Sequence, residues 1–121
     1  MKKYLLLFIF SIFSLTAPAR SISDVQKDGT WYRIFDENGK LYKTVSEVTT
    51  GELKGFSSTI IIFQNGAFFY VYDTDFKKLF TGAVATCGEI NSVAGNTFTT
   101  KYGNWIYTYD KNGKKINTRA F

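Results

Sequence analysis

Hydrophobic and polar positions recur along this chain with a period of 37 residues, and no gap is needed to align the copies. Four columns of the repeat are identical in all three copies, and an aromatic column accompanies them. The identical columns are Gly29, Gly66 and Gly103; Asp36, Asp73 and Asp110; Lys40, Lys77 and Lys114; and Thr44, Thr81 and Thr118. The aromatic column is Trp31, Phe68 and Trp105. A fixed period of this length predicts tandem copies of one supersecondary unit.

Within each copy the pattern predicts a β-meander. A first strand rich in β-branched and aromatic residues (60–63 or 97–100) leads to a turn at Asn65-Gly66 or Tyr102-Gly103. A second, strongly aromatic strand follows, and then a turn that begins with the repeated aspartate. Third strands are predicted over 41–47, 78–86 and 115–119. No segment after residue 20 shows a helical period, so we expect an all-β fold.

The turn after the second strand contains Asn-Gly in the first and third copies, which suits a backbone with positive φ. The middle copy has Thr74-Asp75-Phe76 instead. Because a bulky side chain is disfavoured at positive φ, we expect Asp75 to take that conformation, or the turn to be reshaped.

Both sides of the second strand are largely apolar. In the middle copy Phe68, Tyr70 and Tyr72 alternate with Phe69 and Val71. A strand covered on both faces favours sheets stacked on sheets, or sheets arranged around an axis. We therefore expect the aromatic column to pack in a common core, and a sugar or peptide site lined by these rings is the less favoured alternative. Tyr32, Tyr70 and Tyr107 are expected at a rim, because a phenol needs a polar partner or water.

One string in the third copy carries a resemblance to known folds. Gly103, Ile106, Tyr109, Asp110, Gly113 and Lys114 form the pattern G-x-x-I-x-x-Y-D-x-x-G-K. It resembles the middle hairpin of β-propeller blades. Three units are too few for a closed propeller. The resemblance therefore implies a three-sheet prism, a β-trefoil-like arrangement, or part of a larger propeller completed by a second chain.

The three-fold repeat and the chain length also resemble β-prism lectins of the bulb-lectin type. Their sugar motif, Q-x-D-x-N-x-V-x-Y, is not present, and the residues after Gln64 do not fit it. The resemblance therefore implies no mannose site.

The chain begins like a secretory signal. Lys2 and Lys3 precede an apolar run over 4–15, which ends in Ala17-Pro18-Ala19. We expect residues 1–19 to be a cleaved signal peptide, with no stable membrane insertion afterwards, and the protein to be exported to the periplasm or secreted. One all-β domain is expected over 20–121, with units at about 21–57, 58–94 and 95–121 and the last unit truncated.

Composition excludes several chemistries. There is no His among 121 residues, so Ser-His and Cys-His nucleophile pairs and His-based zinc sites cannot exist. The lone Cys87 cannot form an intramolecular disulfide, and we expect a buried or idle thiol there, with an intermolecular disulfide as the alternative. The net charge of +5 falls to +2 from Ser21 onward, which argues against nucleic-acid binding. No cofactor is expected.

Two further chemistries, cation binding and glycoside hydrolysis, are less favoured than simpler interpretations of the same residues. The repeated aspartates, with Asn38, Asp75 and Asn112 two residues on, resemble cation loops, but each turn offers too few oxygens, and turn chemistry explains the pattern. Glu52 and Glu89 are the carboxylates of a glycosidase hypothesis, which is the least favoured because they occupy equivalent places in separate units.

The third unit is basic, with five cationic residues against Asp110 alone. The sequence therefore favours a non-catalytic binding module for an extracellular or envelope ligand, either carbohydrate or protein. The alternative is a structural protein whose incomplete array closes by self-association into a homo-oligomer. The expected ligand-binding residues are Tyr32, Tyr70, Tyr107, Lys111, Lys114, Lys115 and Arg119.

Overall fold

The computed structural model describes residues 20–121, and these residues form three antiparallel sheets. The first sheet contains β1 (Ile22–Asp28), β2 (Trp31–Asp36) and β3 (Leu41–Ser46). The middle sheet contains β4 (Glu52–Phe56), β5 (Ile60–Asn65), β6 (Phe68–Asp73) and β7 (Lys78–Ala83). The third sheet contains β8 (Glu89–Ala94), β9 (Thr97–Tyr102), β10 (Trp105–Asp110) and β11 (Lys115–Ala120). In each sheet, strands that are consecutive in the chain are neighbours.

The predicted all-β fold of three 37-residue repeats is confirmed. The second strands β2, β6 and β10 begin exactly one period apart, at Trp31, Phe68 and Trp105, and the third strands do the same. The three sheets formed by residues 20–121 are open. The predicted signal peptide, residues 1–19, lies outside the described residues.

The repeat contains more than the predicted three-strand meander. Strands β4 and β8, which fall at the ends of the predicted units, pair with the following β5 and β9, so the middle and third sheets have four strands. Strands β3 and β7 end earlier than predicted, at Ser46 and Ala83, whereas β11 ends one residue later than predicted, at Ala120. One helical turn follows each of β3 and β7: α1 (Glu47–Thr50) and α2 (Val84–Cys87). Neither helix in residues 20–121 is long and apolar enough to span a membrane.

The repeated aspartates build the turns between second and third strands. Oδ1 of Asp36 accepts hydrogen bonds from the backbone N–H groups of Asn38 (2.9 Å) and Lys40 (3.0 Å). Asp73 and Asp110 make the same pair of bonds in their own turns. A carboxylate that satisfies two backbone donors fixes the turn, which explains why this column is invariant within the chain.

The middle turn differs from the expectation. Phe76, not Asp75, takes the positive φ, at 60°. Its ring stacks on Tyr72 (centroids 5.6 Å apart) and lies 6.4 Å from Phe63. Phe76 thus belongs to the apolar layer between the first and middle sheets. Packing of the aromatic ring offsets the cost of the left-handed backbone.

The middle sheet is buried on both faces, and this double burial forms the core. Four consecutive residues of β5, from Ile60 to Phe63, are fully buried. Because side chains alternate along a strand, Ile61 and Phe63 pack toward the first sheet, whereas Ile60 and Ile62 pack toward the third. The sheets therefore stack in chain order, as the two-sided apolar pattern predicted for the middle copy.

Equivalent ends of the sheets meet, and the sheets approach most closely along β4 and β8. The Tyr42 hydroxyl donates to the Thr74 carbonyl oxygen (3.1 Å), and the Ser57 hydroxyl donates to that of Gly95 (2.7 Å). A Cβ on Gly55 of β4 would lie 2.7 Å from Val93 Cγ2 of β8, so only glycine permits this approach. The first strands of the two four-stranded sheets, β4 and β8, are packed together.

The two outer faces of the stack are polar at positions that are apolar inside it. On the third sheet, Thr97, Thr99 and Thr108 stand where the middle sheet has Ile60, Ile62 and Val71. On the first sheet, Asp24, Gln26 and Arg33 stand where the middle sheet has Ile61, Phe63 and Tyr70. Terminal repeats with polar outer faces are what a finished stack requires.

The strained turn gives a direct test. Phe76→Ala removes the packed ring but keeps a Cβ at positive φ, whereas Phe76→Gly removes both. We expect both variants to be less stable than the parent, and Phe76→Gly to be more stable than Phe76→Ala by about 1 kcal/mol.

Denaturant unfolding measures both free energies. Tyr72→Ala and Tyr72→Gly, in the adjacent extended strand β6, are the matched pair, and there glycine should be the worse substitution. If the alanine variant were the more stable of the two at residue 76, as we expect at residue 72, the backbone of this turn would not be strained.

Candidate binding surface

Exposed apolar side chains concentrate at one end of the stack. Eight large apolar residues in the described chain are exposed, and six of them lie where the β1–β2, β5–β6 and β9–β10 turns and the helical turns meet. These six define the aromatic end: Trp31, Val48, Phe68, Tyr102, Trp105 and Phe121. The other two, Leu41 and Ile116, lie toward the opposite end, beside the aspartate turns. An end this rich in exposed aromatics is a candidate ligand surface.

The aromatic column is at this surface, not in a core as predicted. Trp31, Phe68 and Trp105 are 50%, 46% and 48% exposed. The reason lies in the neighbouring strand. The residues directly opposite them on the third strands are Ser46, Ala83 and Ala120, which are too small to cover a ring. These small residues are themselves 37 apart in the sequence, and this spacing is the signal in the sequence that predicts exposed rings.

The backbone beside each aromatic is held in the same way. The N–H of Glu47 donates to the Thr30 carbonyl oxygen (2.8 Å), and that of Val84 donates to Ala67 (2.9 Å). In the third sheet the N–H of Phe121 donates to Asn104 (2.8 Å). Each bond ties the end of a third strand to the turn residue that precedes the aromatic. The three rings therefore project from matching, preformed frames.

Charges at the aromatic end are largely paired. Lys27 Nζ lies 2.9 Å from Glu47 Oε2, and Arg33 lies 2.9 Å from Asp28. Lys54 and Glu52 form a looser pair at 3.7 Å. These are the three ion pairs of residues 20–121, and each includes a residue at this end. The surface therefore joins exposed aromatic faces to hydrogen-bonding groups without a strong field of either sign.

Tyr32, predicted at a rim and expected to bind a ligand, is buried. It is 3% exposed and packs between the first and middle sheets. Its hydroxyl donates to Glu47 Oε2 (3.2 Å) and accepts from the Leu53 N–H (3.1 Å). The phenol finds its polar partners inside the protein, so Tyr32 joins the first sheet to α1 and to the middle sheet and does not face solvent.

A lysine side chain lies over the ring of each of the predicted tyrosines Tyr70 and Tyr107. Lys78 Nζ lies 4.7 Å from the Tyr70 ring centroid, and Lys115 Nζ lies 3.7 Å from that of Tyr107. The two pairs are repeat equivalents. Of the predicted set, the structure therefore brings Tyr107 and Lys115 into contact, with the lysine over the face of the ring.

The remaining predicted cations do not form one site. Lys111 and Lys114 lie in the turn after β10, at the end of the third sheet opposite the aromatic end. Arg119 lies beside Ile106 near the aromatic end, on the outer face of the third sheet. The net charge of the third unit is thus divided between the two ends of a sheet.

Carboxylates form no metal centre in the part of the chain described: no three acidic or cysteine side chains cluster there. The aspartates bind their own turns. Glu52 and Glu89, the residues of the hydrolase hypothesis, start β4 and β8 of different sheets, and Glu52 is paired with Lys54.

Cys87 packs against the apolar layer between the middle and third sheets. Its carbonyl oxygen accepts the Thr100 hydroxyl (2.5 Å). The pKa of the neighbouring Tyr109 is raised to about 12, chiefly by burial and secondarily by the Cys87 thiol, whereas a hydrogen bond with Thr100 opposes the shift. Cys87 is therefore part of the packing between the middle and third sheets.

Compared with models of protein families and with curated proteins, the sequence matches no family and no individual protein. The surface must be interpreted from its own chemistry.

If Tyr32 is a structural link, removing its hydroxyl should lower stability. Tyr32→Phe leaves the Leu53 N–H without its acceptor, and we expect the free energy of unfolding to fall by about 1 kcal/mol. Tyr70→Phe is the control, because the Tyr70 hydroxyl has no partner among residues 20–121. Equal stability of the two variants in denaturant unfolding would contradict this role.

The buried phenol predicts a loss of stability in alkali. Between pH 10, the ordinary pKa of tyrosine, and about 12, Tyr109 keeps its proton when folded and loses it when unfolded. Stability should therefore fall as pH rises through this window. Tyr109→Phe should flatten that fall in unfolding experiments and remove the last step of the phenolate absorbance titration. A Tyr109→Phe titration identical to that of the parent would contradict the shifted pKa.

Proposed function

We propose that this protein is a non-catalytic binding module that holds an uncharged carbohydrate against its aromatic end. The observation that carries the proposal is the half exposure of Trp31, Phe68 and Trp105 at the same place on three successive sheets. Each ring is uncovered because its cross-strand neighbour is small, and each backbone is fixed by an equivalent hydrogen bond. Preformed sites of this kind lose little entropy on binding.

Sugar recognition fits the composition of this end. The flat C–H face of a pyranose packs on an aromatic ring, and its hydroxyls need polar groups at the edge. The strand opposite supplies such groups: Asp28 faces Trp31, Asn65 faces Phe68 and Tyr102 faces Trp105. A stable protein interface instead needs a contiguous, well-packed apolar centre. Aromatics on separate sheets, each beside a polar residue, suit a carbohydrate better.

The charge balance favours a neutral ligand. The pairs Lys27–Glu47, Arg33–Asp28 and Lys54–Glu52 neutralise one another at or near the surface that would meet it. The unpaired lysines of the third unit lie mainly at the opposite end. An anionic polymer would need a continuous cationic track along the aromatic end, and the residues there do not form one.

Self-association through the open array has less support. Several positions that would be buried in a longer stack are polar on the outer faces, as at Thr99 and Gln26, although Phe35 and Ile106 on those faces are apolar. Burial of the polar groups without partners opposes association. Export, as the leader predicts, would place the module where extracellular or envelope glycans occur.

Tryptophan fluorescence tests the proposal directly. Trp31 and Trp105 are the two tryptophans of the protein, and both lie at the aromatic end. Titration with soluble β-linked glucose, β-linked N-acetylglucosamine and α-linked glucose oligosaccharides should change the emission with at least one series. The triple variant Trp31→Ala, Phe68→Ala, Trp105→Ala should lose binding at least tenfold by calorimetry.

The matched control is Leu41→Ala with Ile116→Ala, which removes exposed apolar groups from the other end. It should bind like the parent. Both variants should keep near-parental melting temperatures, since exposed substitutions change stability by about 0.5 kcal/mol or less each. Absence of binding to every carbohydrate in the panel, or undiminished binding by the folded triple variant, would overturn the proposal.

A further inference from the structure

We infer that the three aromatic positions are consecutive subsites for one unbranched polysaccharide, which lies across the strands from the first sheet to the third. The inference rests on the proposed function and specifies its ligand: a repeating, uncharged chain long enough to contact all three sheets. Three separate small sugars or a globular glycoprotein surface are the alternatives that the experiment distinguishes.

The arrangement of the sheets places the subsites in a series. The sheets are held together at the end opposite the aromatic end, by Tyr42 with Thr74 and by Ser57 with Gly95. At the aromatic end, the Tyr32 hydroxyl accepts the Leu53 N–H and links the first sheet to the middle one. Trp31, Phe68 and Trp105 each open the second strand of their sheet, so all three lie at the same end. Packed sheets are about 10 Å apart, and these sheets approach most closely along β4 and β8, so the outer two subsites on the second strands are at least about 20 Å apart.

The surface between the subsites supports a continuous ligand. The helical turns α1 and α2 connect successive sheets at this end and present Val48 and Ala85, one period apart and both exposed. Small or aliphatic groups here leave room for a chain to pass. Phe121, the counterpart of Val84 in the third sheet, adds a 70% exposed ring at the far end.

Because the backbone beside the three aromatics is held in the same way, the surface favours a ligand made of identical repeating units. The hydrogen bonds that fix the three aromatics differ by only 0.1 Å, between 2.8 and 2.9 Å. A ligand that repeats along its length presents the same face at each step, and three weak contacts in one molecule then act together. Linked contacts raise affinity by on the order of 10²-fold or more over a single contact when the ligand spans them.

The experiment uses two single-tryptophan reporters, Trp31→Phe and Trp105→Phe, which keep an aromatic ring at every subsite. Each is titrated with a length series of the oligosaccharide that binds the parent protein. Oligomers long enough to reach from the first sheet to the third should give the same dissociation constant in both reporters. They should bind one per protein, on the order of 10²-fold tighter than oligomers that cover one subsite.

Truncation of one subsite separates the inference from the proposed function. Trp31→Ala should reduce affinity for the long oligomer at least tenfold while the Trp105 signal for the short oligomer stays the same. Different dissociation constants in the two reporters, more than one long oligomer per protein, or affinity that is independent of length would overturn the single-chain arrangement while leaving carbohydrate binding intact. A panel in which nothing binds would instead remove the proposed function.

Discussion

Burial of the middle sheet on both faces is the constraint on which the rest of the structure depends. An antiparallel sheet normally has one solvent-exposed face, so its strands alternate between apolar and polar residues. Strand β5 has no polar residue from Ile60 to Phe63, and all four side chains are fully buried. Such a strand is stable only with a sheet packed on each side. The first and third sheets are therefore integral to one core, and the repeat is stable only as an array.

That constraint also determines how the array ends. Each sheet has a face directed to the preceding unit and one directed to the following unit, and a sheet at either end has a face with nothing to cover it. The chain places Thr97, Thr99 and Thr108 on one such face and Asp24 and Gln26 on the other. Several outward-facing positions of the first and third sheets are thus polar where the middle sheet is apolar, as expected for terminal units of a stack.

Periodicity predicted the architecture because every copy repeats the same local chemistry. Strand positions, the aspartate turns and the doubly apolar middle strand all follow from the residues themselves. The additional strand of the repeat is hard to predict because polar or small residues fill most of β4 and β8, as at Glu52, Lys54 and Gly55. Phe76 was misjudged because local backbone preference opposes packing there, and the stack of Phe76 on Tyr72 outweighs it.

The candidate binding surface is harder to predict, because the exposure of a side chain depends on a cross-strand neighbour that is distant in sequence. A tyrosine such as Tyr32 looks like a rim residue until Glu47 and Leu53 are seen to satisfy its hydroxyl. A tryptophan looks like a core residue until its partner position is found to hold serine or alanine. The net charge of the third unit does not predict a single basic site either, since Lys114 and Arg119 lie at opposite ends of one sheet.

Trp31 supplies the strongest argument that the aromatic end is kept for binding. It lies on the outer face of the first sheet, beside Asp24, Gln26 and Arg33, which are polar where the middle sheet has apolar or aromatic counterparts. At these three positions the outer face has lost the apolar side chains of the middle sheet. At Trp31 the aromatic remains although half of it is exposed. An exposed aromatic adds less to stability than a buried one, whereas the proposed subsite in line with Phe68 and Trp105 requires it.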